Sequence, residues 1–276
     1  MKKTIPGKII FPPSKELGQN FLFDKNYLKK IVECCPVDIS DAIIVEIGSG
    51  YGSLTNSLAE TNCQKIISLE KDPKLFRWLV ENNKNDKIIY LHQDALQVNW
   101  SGFFSEYKDN SLIIVGNLPY YITNSLIVDL LFDHHLFKYL IFLVQKEVGQ
   151  KWASTPSKYS SKYSALSVFI NYLTETKIAL KVPSQVFIPS PSVDGVLVVI
   201  KPYKDIDIPK EQLTSFLRFL KNCFRFRRKT LLNNLCSFAG NKQEKWQKYF
   251  EKKNYSWNIR PQNLTPDEYF SLFLTW

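Results

Sequence analysis

The sequence has little with which to cross-link, coordinate or anchor itself. It contains five cysteines in 276 residues. The count is odd, the chain is long, and Cys34 and Cys35 are adjacent, so a disulfide framework is excluded. There is no C-x-x-C and no Cys/His cluster, which argues against structural zinc, and His92, His134 and His135 lack ligand spacing. No metal is expected, and the thiols read as reduced, in a reducing compartment. No apolar run approaches the roughly 20 residues of a membrane-crossing helix. The basic start, MKKTIPGKIIFPPSK, is broken by Pro6, Pro12 and Pro13, so it holds no signal-peptide core. Internal repeats and low-complexity tracts are absent as well. These absences predict a soluble, cytoplasmic protein with no membrane partner. With no extra oligomerisation segment in view, a monomer is expected.

What is present is a core and a charge. Hydrophobic residues make up 45% and aromatics 14%, enough to exclude wholesale disorder. Lys and Arg number 36 against 26 Asp and Glu, a net +10. Residues 201–276 hold 15 basic and 7 acidic residues, a net +8, which leaves +2 for residues 1–200. A nearly neutral front and a basic back predict two modules, the second facing a polyanion. The turn from Lys201-Pro202-Tyr203 to Pro209 divides them, giving expected domains 1–203 and 204–276.

Local patterning fills in the front. The chain reads as irregular up to Leu22. A helix follows from Asp24, a suitable N-cap, to Cys35, with Pro36 as a stop. Ala42–Ile47 is an apolar, β-branched strand that runs into Gly48-Ser49-Gly50-Tyr51-Gly52 and then a helix through Leu54, Leu58 and Ala59. Strands at 65–70, 88–91, 112–115 and 139–144 alternate with helices at 73–82, 125–132 and from 145. That alternation predicts an α/β fold, a parallel sheet with helices on both faces. Strand-like runs at 175–182 and 193–200 predict an antiparallel pair at one edge. Past residue 209 the spacing is helical, as in Leu213, Phe216, Leu217 and Leu220.

Several constellations carry chemistry. Gly48-x-Gly50-x-Gly52 after a first strand brings backbone N–H groups close to a ligand, although the same glycines also suit a plain tight turn. Glu70 ends the second strand, where a carboxylate accepts two ribose hydroxyls. Asp94 follows the third, where it would accept from an adenine amino group. Each acid also reads as a helix N-cap or a solvated turn residue. The sharpest signal is Asn117-Leu118-Pro119-Tyr120 after the fourth strand. Asn117 and the Leu118 carbonyl would accept the two hydrogens of an exocyclic amine on a segment stiffened by Pro119, and Tyr120 would stack on the base. Such acceptors favour a pyramidal nitrogen with its lone pair aimed at an electrophile. Phe187, in Phe187-Ile188-Pro189-Ser190-Pro191, either closes over a flipped base or belongs to the core. Arg225, Arg227, Arg228 and Lys229, interleaved with Phe224 and Phe226, suit a phosphate backbone or a solvated helix face.

In this order the motifs resemble the bacterial ribosomal RNA adenine N6-dimethyltransferases over nearly the whole chain. The similarity includes Gly18-Gln19-Asn20-Phe21-Leu22, Val45-Glu46-Ile47-Gly48-Ser49-Gly50, Gly116-Asn117-Leu118-Pro119-Tyr120-Tyr121 and Phe187 through Asp194. It continues through Arg227-Arg228-Lys229-Thr230-Leu231 and Arg260-Pro261-Gln262-Asn263-Leu264-Thr265. The resemblance implies a Rossmann-like class I methyltransferase fold, with a mostly parallel seven-stranded sheet and a small all-helical C-terminal domain. It implies S-adenosylmethionine as methyl donor, leaving as S-adenosylhomocysteine, with Asn20, Leu22, Gly48, Gly50, Glu70, Asp94 and Asn117 at the cofactor. It also implies two adjacent adenosines near the 3′ end of small-subunit rRNA, within the assembling subunit, as the target. Ser49 stands where the family often has proline, which leaves the turn softer; Ser125 and Gly195 are smaller departures. Three other readings stand beside this one. They are a sister methylase of large-subunit rRNA conferring macrolide-type resistance, a non-catalytic ribosome-assembly factor, and a nicotinamide-dependent dehydrogenase.

Overall fold

The computed structural model describes residues 10–35, 38–156, 160–239 and 243–276. Pro6 and Pro36 fall outside them. In chain order the elements are β1 (Phe21–Leu22), α1 (Lys25–Glu33), β2 (Ala42–Ile47), α2 (Ser53–Ala59), β3 (Lys65–Glu70), α3 (Pro73–Asn82) and β4 (Ile88–His92). Next come α4 (Trp100–Phe103), β5 (Ser111–Asn117), α5 (Thr123–Phe132), β6 (Phe137–Gln145), α6 (Lys146–Trp152), α7 (Ala165–Leu173), β7 (Thr174–Val182), β8 (Phe187–Ile188) and β9 (Gly195–Pro202). Four helices close the chain: α8 (Lys210–Cys223), α9 (Leu231–Ala239), α10 (Gln243–Lys252) and α11 (Pro266–Phe273). Among the described residues no helix is long and apolar enough to cross a membrane.

Seven strands form one sheet in the order β4-β3-β2-β5-β6-β9-β7. The first five run parallel, and β9 pairs antiparallel with β6. This is the mostly parallel sheet that the alternation predicts. The two late strands are neighbours at one end of it, with β9 inside and β7 at the edge. All six residues of β2 are buried, as a central strand covered on both faces requires. With it pack Ile66 of β3, Ile113 and Val115 of β5, Ile141 of β6, Leu28 and Ile31 of α1, and Leu54 and Leu58 of α2. Helix α1 starts where the sequence places it, because the Asp24 carboxylate accepts the N–H groups of Asn26 at 2.9 Å and Tyr27 at 3.1 Å.

Among the described residues, the stretch before α1 is irregular up to Asn20 and ends in a short strand. Phe21 and Leu22 pair antiparallel with Ile188 and Phe187, making a two-stranded ribbon separate from the main sheet.

The described residues form two compact units. One runs to Gly149 and resumes at Lys177–Pro202; the other comprises Gln150–Thr176 and Tyr203–Trp276. The second unit therefore takes in residues 150–176, which the sequence reading assigns to the front. The reason is α7. It is capped by reciprocal Ser164 and Ser167 hydrogen bonds and buries Val168, Phe169, Ile170 and Leu173, and its neighbours are α8 and α11. There Phe216 lies 5.4 Å from Tyr172 and 5.2 Å from both Phe270 and Phe273, between ring centroids.

In the sheet, Gly116 lets β5 pass close to β2. A Cβ at that position would sit 2.8 Å from the Ile47 carbonyl oxygen and 3.1 Å from Leu118 Cδ2. Backbone cannot yield as a side-chain tip does. Gly116→Ala is expected to destabilise the protein by about 1–3 kcal/mol, read as a lower urea midpoint with an unchanged m-value.

Candidate cofactor and base site

The parallel strands end on a common edge, and the loops that leave it form one cleft. Asn20, Leu22, Gly48, Gly50, Glu70, Asp94, Asn117, Leu118, Pro119, Tyr120 and Phe187 all line it. The position, outside the carboxyl ends of parallel strands, is where open α/β sheets hold ligands. The sequence places most of these residues at strand ends. The structure brings them to one cavity.

Its floor is the turn after β2. Gly48, Gly50 and Gly52 have φ of 77°, 57° and 72°, the left-handed region that L side chains avoid. A Cβ on Gly50 would also meet the Phe21 ring at 2.9 Å. The Gly50 N–H donates to Glu70 Oε2 at 2.8 Å, and the Asp72 N–H to Glu70 Oε1 at 2.8 Å. Glu70 is 6% exposed. A carboxylate has about four lone-pair sites, so Glu70 keeps acceptor capacity beyond these main-chain bonds. Ser49 does not leave the turn loose. Its hydroxyl bonds to the Ser68 hydroxyl and to the Leu69 carbonyl, tying the turn to β3.

Asp94 is an N-cap, as one of its readings has it, and it also stands in the cleft wall. Its carboxylate caps a short 3-10 turn by accepting the Leu96 N–H at 3.1 Å, and it lines the cleft. Its Oδ2 lies 2.8 Å from Lys71 Nζ. Partial burial pushes its pKa up, but the Lys71 ammonium and the Leu96 N–H outweigh that and hold it below the usual carboxylate value.

Asn117 closes β5. Its Nδ2 donates to the Asn20 carbonyl at 2.8 Å. That bond fixes which way the amide faces and leaves Oδ1 as the acceptor. Pro119 is held from both sides of its carbonyl, which accepts the Ile122 N–H at 3.2 Å and the Thr123 hydroxyl at 2.9 Å. Leu118 is buried, whereas Tyr120 is 39% exposed. Burial raises the Tyr120 pKa, opposed by a hydrogen bond with Gln145. Phe187 packs in the core with Leu22 and Leu28, as its core reading has it, and also forms cleft wall.

The basic segment lies in the second unit. Arg225, Arg228 and Lys229 are exposed and Arg227 is half-buried. Its Nη2 donates to the Ser161 carbonyl at 2.9 Å.

The sequence pattern that defines the family described as "Ribosomal RNA adenine dimethylase" matches residues 11–274. The chain belongs to that family. One relative, the ribosomal RNA small subunit methyltransferase A of Ligilactobacillus salivarius, is 34% identical over 264 residues, covering 94% of this chain and 88% of that one. A dimethyladenosine transferase from Plasmodium falciparum superposes with a TM-score of 0.73 at 23% identity, over 92% of this chain and 96% of that one. The 23S rRNA methyltransferase ErmE superposes at 0.67 and 22% identity, over 93% and 99%. The two structures share the class I methyltransferase fold. The chain is an enzyme of the rRNA adenine dimethylase kind.

In this dimethylase, sequence reasoning missed three contributors to the cleft. Lys71 is one. Tyr51 is another; its hydroxyl accepts the N–H groups of Ile10 at 3.1 Å and Phe11 at 2.8 Å, and so holds the chain's early segment over the glycine turn. The third is Glu46, 1% exposed in the middle of the apolar run of β2. A lone acid in such a run is the signal that could have found it. Its Oε2 accepts the Thr55 hydroxyl and, at 3.1 Å, the Ser68 hydroxyl.

Glu46 and Glu70 are both pushed up to about 7 from an ordinary 4.5. Burial is the main cause for each. For Glu46 the Thr55 and Ser68 bonds oppose it and the Glu70 charge adds to it; for Glu70 the Asp72 and Gly50 N–H groups oppose it. The folded state thus keeps protons that the unfolded chain has released. That contribution to stability is complete below pH 4.5 and is lost as pH rises through about 7. The urea midpoint of the ligand-free enzyme is therefore expected to fall from pH 5 to pH 8. Glu46→Gln keeps an acceptor for Thr55 and Ser68 and is expected to flatten that fall. An unchanged pH dependence in this variant would count against the assignment.

Proposed function

We propose that the enzyme transfers methyl groups from S-adenosylmethionine to N6 of two adjacent adenosines near the 3′ end of small-subunit rRNA, two on each. The observation that carries the reading is the Asn117 amide, committed through Nδ2 to the Asn20 carbonyl and so left with Oδ1 as acceptor. The relative from Ligilactobacillus salivarius, named for the small subunit, supports that choice of RNA.

The residues in the cleft fit the methyl donor. Glu70 has spare acceptor capacity for the two ribose hydroxyls. Asp94 suits the adenine amino group, and Asn20 and Leu22 stand beside them as cleft wall. The left-handed turn through Gly48 and Gly50 admits the methionine end without a Cβ in the way. When bound, the sulfonium supplies an electrophilic methyl carbon and leaves as the neutral thioether.

The chain's own residues then prepare the nucleophile. Asn117 Oδ1 and the Leu118 carbonyl accept the two N6 hydrogens, which draws the lone pair out of conjugation with the ring. With the methyl carbon taken from the departing thioether, the surplus N6 proton would pass to solvent. Pro119 holds the acceptors in place. Tyr120 and Phe187 flank the flipped base. Positioning and fixed dipoles carry the rate. The basic residues Arg225, Arg227, Arg228 and Lys229 give the second unit its hold on rRNA phosphates.

Labelled adenosylmethionine, offered with undermethylated small and large subunits and followed by nucleoside mass analysis, tests the reading. Dimethyladenosine in small-subunit RNA alone is the expected outcome. Label in large-subunit RNA would move the enzyme to the resistance-type sister group. No label, with subunit binding retained, would favour an assembly role. Asn117→Ala is expected to lower kcat on the order of 100-fold or more while leaving RNA affinity largely intact. Near-normal turnover in that variant would sink the role given to Asn117.

A further inference from the structure

The turn that joins α8 to α9 carries two phenylalanines with opposite fates. Phe224 is buried, its ring 6.0 Å from Tyr163 and 5.5 Å from Tyr269. Phe226, two residues on, is 38% exposed. The Arg225 guanidinium lies 5.2 Å and the Lys229 ammonium 4.6 Å from its ring centroid.

This exposure is built. Asn234 of α9 is wholly buried. Its Oδ1 accepts the Phe226 N–H at 2.9 Å, and its Nδ2 donates to the Phe226 carbonyl at 3.1 Å and the Thr230 carbonyl at 3.0 Å. Arg227 ties the same turn to the Ser161 carbonyl. One buried amide therefore satisfies both main-chain groups of Phe226 and holds its ring towards solvent, while the neighbouring phenylalanine joins the aromatic core. A ring fixed outward among cations fits a partner with a flat apolar face on an anionic chain. Unpaired RNA has both.

We propose that Phe226 is a stacking platform for one unpaired nucleobase of the rRNA substrate, with Arg225 and Lys229 taking the adjoining phosphates. The inference rests on the function proposed above. The platform belongs to the second unit, and Tyr120 and Phe187 belong to the first. Before RNA binds, the two cations lie over the ring. A cation over an exposed ring is held less strongly than a stacked base, and one that leaves the ring gains a phosphate.

The test measures affinity of the enzyme for the rRNA of undermethylated small ribosomal subunits across a series of salt concentrations. Phe226→Leu, which keeps apolar bulk and loses the flat π-face, is expected to weaken binding roughly 10-fold with the slope of log K against log salt unchanged. Phe226→Trp is expected to restore it. Arg225→Ala and Lys229→Ala are each expected to flatten the slope by about 0.7–0.9. Thermal melts check that each variant is folded. Wild-type affinity in Phe226→Leu, or a slope change in it as large as that of Arg225→Ala, overturns the proposal. Failure of the wild-type enzyme to bind this RNA would overturn the functional reading, and this inference with it. A wild type that binds beside an unaffected Phe226→Leu removes the platform alone.

Discussion

Glu70 is the point on which the cleft depends. Its carboxylate ends β3 almost out of contact with water, and main-chain N–H groups from Gly50 and Asp72 hold one oxygen each. Asp72 in turn caps α3 through the Lys74 N–H at 2.9 Å and accepts the Gln19 amide at 2.9 Å. Three stretches of chain, around residues 19, 50 and 72, thus meet on two acids in sequence. The left-handed glycine turn has its shape because its N–H has this partner. Without the carboxylate a buried donor would be left unpaired, at about 1–3 kcal/mol.

The same arrangement sets the electrical character of the cavity. Glu46 is joined through the Ser68 hydroxyl to Ser49, whose own hydroxyl reaches the Leu69 carbonyl, and the Glu70 charge adds to the cost of ionising Glu46. Two carboxyls poised near neutrality make a cavity whose charge answers to what enters it. A ligand that brings positive charge favours both anions, whereas a neutral one leaves them partly protonated.

Much of this was legible from residue types alone. The order of strands and helices from α1 to α6, α4 apart, follows from apolar runs and turn residues, and Glu70, Asp94 and Asn117 are found by their place after strands. Other features left no local trace. The ribbon of Phe21–Leu22 with Phe187–Ile188 exists only as a pairing between distant residues, and neither half is long enough to show a period. Asn20 and Leu22 were visible through family resemblance and not through physics. Helix α7 escaped because Val168, Phe169 and Ile170 are buried in succession, which erases the amphipathic spacing that marks a helix with a wet face. Asn234 looks like any polar residue on a helix until the turn beneath which it lies is folded. Burial of a polar side chain is a tertiary fact.

That ribbon has a consequence for the order of assembly. One wall of the cleft is the pairing of Leu22 with Phe187, and the acceptor orientation of Asn117 depends on a carbonyl 97 residues earlier. Closing loops of this length costs conformational entropy before any contact rewards it, and folds dominated by such contacts form slowly. The sheet can gather strand by strand as neighbours meet. The cleft cannot, since it needs the chain on both sides of the sheet's central strands. A polypeptide still emerging during synthesis therefore carries every glycine and acid of the cofactor turn without the wall that completes it, and competence arrives late, after residue 188 has joined the rest.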